Sequence, residues 1–277
     1  RRLGFVLASV ASSIASLIGA YSILVESFIL FSFACFILGT GMAFVHQYRF
    51  AAAESVEKKM APKAVSILLF GGIISAFLGP SLANYSKDFV SENLYVGSYL
   101  SLAVLTFIPT ILFLFYESKS INKENINYTG RSYLELISQP RFIQALAASA
   151  FGYAIMTFLM TATPISMHVM EKMSLSKTGI VIQFHVASMF LPSLVTGHLI
   201  KKIGHSNVIY IGIFFYSITL FISIFDQTFF NYMFALIFLG IGWNFLFISG
   251  TSLLVLCYRE EEKFRAQGYN DLIVYSI

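Results

Sequence analysis

Eight stretches of largely apolar residues, each near the ~20 needed to cross a bilayer as a helix, constrain this chain more than any other feature. They cover residues 4–24, 28–53, 64–84, 94–116, 142–168, 178–200, 207–226 and 229–257, and a ninth begins near 268. Phe, Ile, Leu, Ala and Gly fill them without the apolar–polar alternation of barrel strands, so helices are predicted. Soluble domains carry roughly 25% charged residues. Here the figure is 12%, against 57% hydrophobic residues. The expectation is an all-α membrane protein with about eight complete transmembrane helices plus a truncated ninth. Cys35 and Cys257 both fall inside apolar runs and read as packing residues.

The loops orient the spans. Lys and Arg gather in cytoplasmic loops. Fourteen of the 18 lie in the regions 1–2, 54–63, 117–141, 201–206 and 258–267. The alternate loops hold only Lys87, Lys172 and Lys177, and Arg49 sits within a run. The net charge of +4 therefore reflects topology and gives no reason to expect nucleic acid. The polar stretch 117–141 reads as a cytoplasmic linker between an N-terminal half, 1–116, and a C-terminal half, 142–277, each truncated at its outer end.

Two patterns recur. Arg1-Arg2-Leu3-Gly4 is echoed by Lys201-Lys202-Ile203-Gly204, and Gly39-Thr40-Gly41-Met42-Ala43-Phe44 by Gly240-Ile241-Gly242-Trp243-Asn244-Phe245. Duplicated helical bundles related by a parallel repeat are one plan of secondary transporters.

With its repeat and linker, the chain resembles the major facilitator superfamily, whose plan is twelve helices in two six-helix halves. The resemblance spans the whole chain, from the family's third helix to the start of its eleventh. If each half has six helices, two precede Arg1, and part of one and a final one follow Ile277. Gly197-His198-Leu199-Ile200-Lys201-Lys202-Ile203-Gly204 is similar to the family's loop motif G-x-L-x-D-R-x-G-R-R without its acid, and Arg1 to Gly4 resembles the tail of the first copy. The stretch ending Gly79-Pro80 resembles the fifth-helix motif G-P-x-x-G-G, with Ala83 and Asn84 at its final glycines. Cys35 stands where the proton-antiporter motif has Arg.

The resemblance implies a cytoplasmic latch of Arg1 or Arg2 with Glu54, and a weaker copy of Lys201 or Lys202 with Glu260. The alternative is that these charges only hold their loops inside. Gly4, Gly197 and Gly204 belong to the same gating loops. Pro192 is expected to kink its helix and serve as a hinge. Gly71, Ser75, Gly79 and Ala83 recur every four residues, as do Ala8, Ser12, Ser16 and Ala20. Such stripes let helices approach closely, either as static packing or as a sliding surface. Pro80 joins the first stripe as a packing residue.

Candidate substrate residues are His46 and Arg49, then Tyr153, Thr157 and Thr161, then Trp243 and Asn244. Arg49 is near the end of its run, so snorkelling to the headgroups accounts for it; docking an anionic group is the alternative. The Tyr and Thr residues read as a cavity wall or as interhelical hydrogen-bonding groups. Trp243 would stack on a planar substrate while Asn244 bonds its edge; filling the space beside Gly240 and Gly242 is the alternative. Asn270 and Asp271 are expected to cap the start of the ninth span. Gln183 and His185 read as structural.

These features predict secondary transport of a small amphiphilic solute by alternating access, coupling to protons being one option, in a bacterial cytoplasmic (inner) membrane and by a monomer. No cofactor, metal or catalytic residue is expected. The alternative is a polytopic lipid or sugar transferase. Gly242-Trp243-Asn244-Phe245 and Pro192-Ser193…Thr196-Gly197 resemble strings in a group of bacterial carriers that includes proposed riboflavin transporters.

Overall fold

A computed structural model describes residues 2–90, 95–116, 130–225 and 227–277, apart from the side chains of Pro80, Asn84 and Leu175. Among these residues every regular element is helical. They are α1 (Arg2–Leu24), α2 (Phe28–His46), α3 (Tyr48–Glu54), α4 (Ala61–Phe70), α5 (Gly72–Ser86), α6 (Val96–Leu114), α7 (Tyr133–Ile137), α8 (Pro140–Ile165), α9 (Leu175–Phe190), α10 (Ser193–Ile203), α11 (His205–Ser223), α12 (Phe229–Val255) and α13 (Lys263–Ser276). Eight helical stretches are long and apolar enough to cross a membrane. Most of the expected linker, together with Arg1, lies outside the described residues.

Local chemistry sets the helix ends. Ser27, Ser132, Ser174 and Thr228 each accept a hydrogen bond from a backbone amide of the first turn they precede, which satisfies a donor that the helix itself cannot. Pro140 opens α8, where its missing N–H costs nothing. Pro192 was expected to kink one helix; it separates two. α9 stops at Phe190 and α10 starts at Ser193. The Pro192 carbonyl then accepts from the amide and hydroxyl of Thr196. Pro164 sits inside α8, and the chain continues as a π-helical turn over Ser166–Met170. Gly204, at φ 86°, joins α10 to α11 in the left-handed region that favours glycine.

The chain forms two compact units, one of residues 1–48 and 77–124, the other of 49–76 and 125–277. These boundaries differ from the halves read in the sequence, because residues 49–76 group with the C-terminal portion.

In the first unit α1 packs on α2 and α6. The stripe Ala8, Ser12, Ser16, Ala20 is used here. A Cβ on Gly41 would come within 2.0 Å of the Ser12 hydroxyl and 3.7 Å of the Ala8 carbonyl, so α1 and α2 cross at that glycine. Phe5, Tyr48 and Phe113 form an aromatic cluster with ring centroids 4.9–5.1 Å apart.

In the second unit α12 is the central rod. Every residue from Gly242 to Val255 is buried, with α8, α9 and α11 against it. α4 packs on α10. The close approach falls at Gly197, whose added Cβ would lie 3.0 Å from the Lys63 Cα and 3.1 Å from the Pro62 carbonyl, and at Gly72, which meets the Phe190 ring at 2.7 Å. The stripe read at Gly71, Ser75 and Gly79 is not the packed one. Ser75 and Gly79 are exposed, and a Cβ at Gly79 would meet nothing within 4 Å. The break at Gly71 lets Gly72 make the contact. Pro80 lies on α5, its side chain outside the described set.

Candidate functional site

Arg49 is the centre of the second unit's polar chemistry. It is 2% exposed, so the snorkelling expected of it is corrected: the guanidinium is enclosed by protein. α2 ends at His46, Gln47 turns the chain, and α3 carries Arg49 into the second unit. There one Nη donates to the carboxylate of Asp271 and the other to Thr251 Oγ1 at 3.3 Å. Three aromatic faces surround the group, with the guanidinium carbon 4.6 Å from the centroid of Phe50, 4.4 Å from Phe247 and 5.9 Å from Tyr275. A desolvated cation over ring faces gains from their quadrupoles, and the carboxylate supplies the charge balance that burial demands.

Asp271 therefore does not cap a helix start. α13 begins at Lys263 rather than near 268, which puts Asp271 in its later part, turned toward α3.

An open recess of about 530 Å³ adjoins this cluster. Its walls include Tyr153, Thr157 and Thr161 of α8 and Val274 and Tyr275 of α13. The spacing of four that suggested a cavity wall does place these three α8 side chains along one recess. Tyr153 meets Tyr275 edge-on at 4.8 Å and lies 6.3 Å from Phe247. Phe247 in turn stacks on Trp243 at 4.7 Å and 16°. A continuous aromatic path thus leads from the recess to Arg49 and to Trp243.

The structure does not bring all the expected residues together. Trp243 is 4% exposed and reaches this path through Phe247, while Phe190 packs edge-on against it at 6.0 Å. Asn244, expected to bond a substrate edge, is fully buried and engaged. Its amide donates to the Met189 carbonyl at 2.7 Å and to Ser193 Oγ at 2.6 Å, and its Oδ1 accepts from Thr196 at 2.6 Å. It holds α12 to the α9–α10 break, where Pro192 leaves backbone and hydroxyl groups needing partners. His46 belongs to the first unit. His185 is buried, with Nδ1 against the Leu236 carbonyl at 2.7 Å.

A second ionic group lies one turn along, on the side of the basic loops. Glu54, which the sequence paired with Arg1 or Arg2, accepts from Lys263 at 3.4 Å and from Gln267 at 2.5 Å. Arg2 donates to the Leu114 carbonyl, and Arg1 is outside the described residues. Glu260 pairs with Lys263 at 3.2 Å. Lys201 and Lys202 are exposed and make no ion pair among the described residues. Early in the chain, Gly4 sits under the Phe44 ring, 3.2 Å from an added Cβ.

A third pair pins the end of the linker. Arg131 donates its backbone amide and Nε to Glu262 Oε1, both at 2.9 Å, and an Nη to Oε2 at 2.6 Å. That guanidinium holds the Glu262 carboxyl down to about 2, with the Arg259 amide assisting; the carboxylate raises the Arg131 pKa in return.

Sequence reading missed Phe247, Thr251 and Tyr275, which sit in apolar runs and look like packing. It named Asp271 but gave it another role. The missed signal was that a basic residue inside an apolar run, Arg49, calls for an acidic partner, which Asp271 supplies.

The Major Facilitator Superfamily model matches residues 1–277. Riboflavin transporter RfnT of Brucella anthropi is 35% identical over 277 residues, which cover 99% of this chain and 69% of that protein. The uncharacterized MFS-type transporters YddS and YdeG of Bacillus subtilis are 27% and 28% identical, over 97% and 91% of this chain and 64% and 62% of their own lengths. The chain thus spans roughly two thirds of these relatives. With its eight apolar helices it is an integral, multi-pass membrane protein. It belongs to the major facilitator superfamily of transporters.

Proposed function

We propose that this chain is the greater part of a carrier for riboflavin or a closely similar planar, amphiphilic vitamin, working by alternating access in a bacterial cytoplasmic membrane. The observation that carries the reading is the recess of about 530 Å³ walled by Tyr153, Thr157, Thr161 and Tyr275 beside the enclosed Arg49. Its size falls within the roughly 300–1,000 Å³ of sites that hold drug-sized molecules. Aromatic walls suit a flat ring system, and threonine hydroxyls suit a polyol chain. The similarity to a riboflavin transporter along nearly the whole chain supports the same solute class.

In this reading Arg49–Asp271 and Glu54–Lys263 close the cytoplasmic side, and their separation opens the recess inward. They join residues 49–54, from before the linker, to residues after it. Monomeric action and coupling to protons are part of the proposal.

The test is flux. Vesicles holding the complete protein should accumulate riboflavin above protein-free vesicles, and a proton gradient should raise the rate. Flux without gradient dependence would remove the coupling. No flux of riboflavin, in either direction, would remove the substrate.

A further inference from the structure

Two buried donors beside the recess lack acceptors. Arg49 spends both terminal nitrogens on Asp271 and Thr251, but its Nε has no partner. Trp243, 4% exposed, has no partner for its indole Nε1. Both groups pack against the same ring, Phe247, Trp243 by stacking and Arg49 through its guanidinium. Buried donors are nearly always paired, and each exception calls for a cause. Among the buried atoms without a partner, these two share one neighbour, Phe247, and that neighbour lies next to the recess wall through Tyr153.

We infer that Arg49 Nε and Trp243 Nε1 form a donor pair that reads the acceptor-bearing edge of a planar heteroaromatic substrate once Phe247 turns aside. The inference rests on the proposed transport of such a solute and names the chemistry by which the site would choose it. Both unsatisfied groups donate. The matching ligand edge therefore carries carbonyl or ring-nitrogen acceptors and is not itself a pure donor. A flavin, whose pyrimidine edge bears two carbonyls, fits; a hydrocarbon ring of equal size leaves both donors unmet. Tyr153 and Tyr275, meeting edge-on at 4.8 Å, form the outer aromatic layer through which that edge would pass.

This arrangement separates shape from recognition. The recess offers hydroxyls and ring faces to the body of the ligand. The donor pair behind Phe247 reports whether its edge is correct. A site built to hydrogen-bond its ligand rejects an analogue lacking the group far more strongly than a purely apolar site does, because its own polar atoms are then left unpaired.

The experiment measures binding and uptake by the complete protein in liposomes, with two probes: riboflavin, and anthracene, a three-ring hydrocarbon of similar outline without hydrogen-bond acceptors. Trp243→Phe keeps the ring and removes the N–H. Arg49→Lys keeps the charge that faces Asp271 and removes Nε. Each variant should raise the riboflavin Kd by about tenfold, the scale of one hydrogen bond, and leave anthracene within about twofold. Trp243→Phe should melt close to wild type. If both probes weaken equally, the two residues only shape the site and the donor role is overturned. If wild type binds riboflavin and neither variant changes its Kd, the donor role fails while the substrate reading stands. If wild type binds no riboflavin, the substrate reading fails. The donor pair then survives only if another carbonyl-edged ring, guanine or a pterin, binds with the same variant sensitivity, and is overturned if none does.

Discussion

Residues 39–44 and 240–245 share the pattern Gly-x-Gly-x-x-Phe, yet their surroundings differ. In both copies the second glycine is a crossing point. Gly41 faces Ser12 of α1, and a Cβ added at Gly242 would lie 2.9 Å from the Gly212 carbonyl and 2.5 Å from the Tyr216 ring. The first glycine differs. A Cβ added at Gly39 would meet nothing within 4 Å, whereas one at Gly240 would come within 2.1 Å of the Ser188 hydroxyl and 2.8 Å of the His185 carbonyl. The following residue diverges too, with Met42 at 54% exposure and Trp243 at 4%. The repeated pattern therefore marks where one neighbour must come close. Within the described residues α2 packs chiefly on α1, while α12 is enclosed by α8, α9 and α11.

The contrast can be broken at graded positions. Arg49, tied to enclosed α12 through Thr251 and Phe247, should show the largest effect. Arg49→Met leaves Asp271 without its cation and should cost about 3–5 kcal/mol, read as a loss of folded protein in detergent melts. Adding Asp271→Leu should recover much of that stability while transport stays lost. A recovery of transport would show that the pair is structural only.

Gly240→Val should be next. Its new atoms would collide with backbone of α9, for a cost of about 3 kcal/mol. Asn244→Ala strands the partners at Ser193 and Thr196 and should cost about 2 kcal/mol. Lower transport by this variant should follow its loss of folded protein. Full folding with abolished binding would return Asn244 to the substrate.

Glu262 gives a pH-dependent arm. Its carboxyl is lowered from 4.5 to about 2 in the folded protein. A depressed acid contributes stability that is complete above the unfolded value and is lost as pH falls through the folded one. Glu262→Gln should therefore melt below wild type at neutral pH, with the gap closing between pH 4.5 and about 2. A constant gap across that window would rule out the Arg131 pair as its source. The smallest effect should be at Gly39, where Gly39→Val changes melting by no more than about 0.5 kcal/mol. A loss matching that at Gly240 would show that α2 is as enclosed as α12.

Much of the fold was legible because the bilayer imposes a length and a composition on every span. The eight runs follow from that local rule. The ends of α9 and α10 were half legible: Pro192 announced a disturbance, but kink or break depends on whether Asn244 and Thr196 are there to satisfy the freed groups. The site was less legible. Tyr153, Thr157 and Thr161 shared a visible spacing, whereas Phe247 and Tyr275 look like any aromatic in an apolar run. Arg49 and Asp271 were each visible, and their partnership was not, since 222 positions separate them.

The sequence by itself determined that this chain would be helical and membrane-spanning, because apolar length, helix caps and loop charge act within a few residues. Tertiary structure alone decided which charges meet, which rings enclose Arg49, and which glycine of each repeated pair is pressed against a neighbour. Those outcomes depend on side chains brought together from distant positions, where burial turns an affordable lone charge into one that must have a partner.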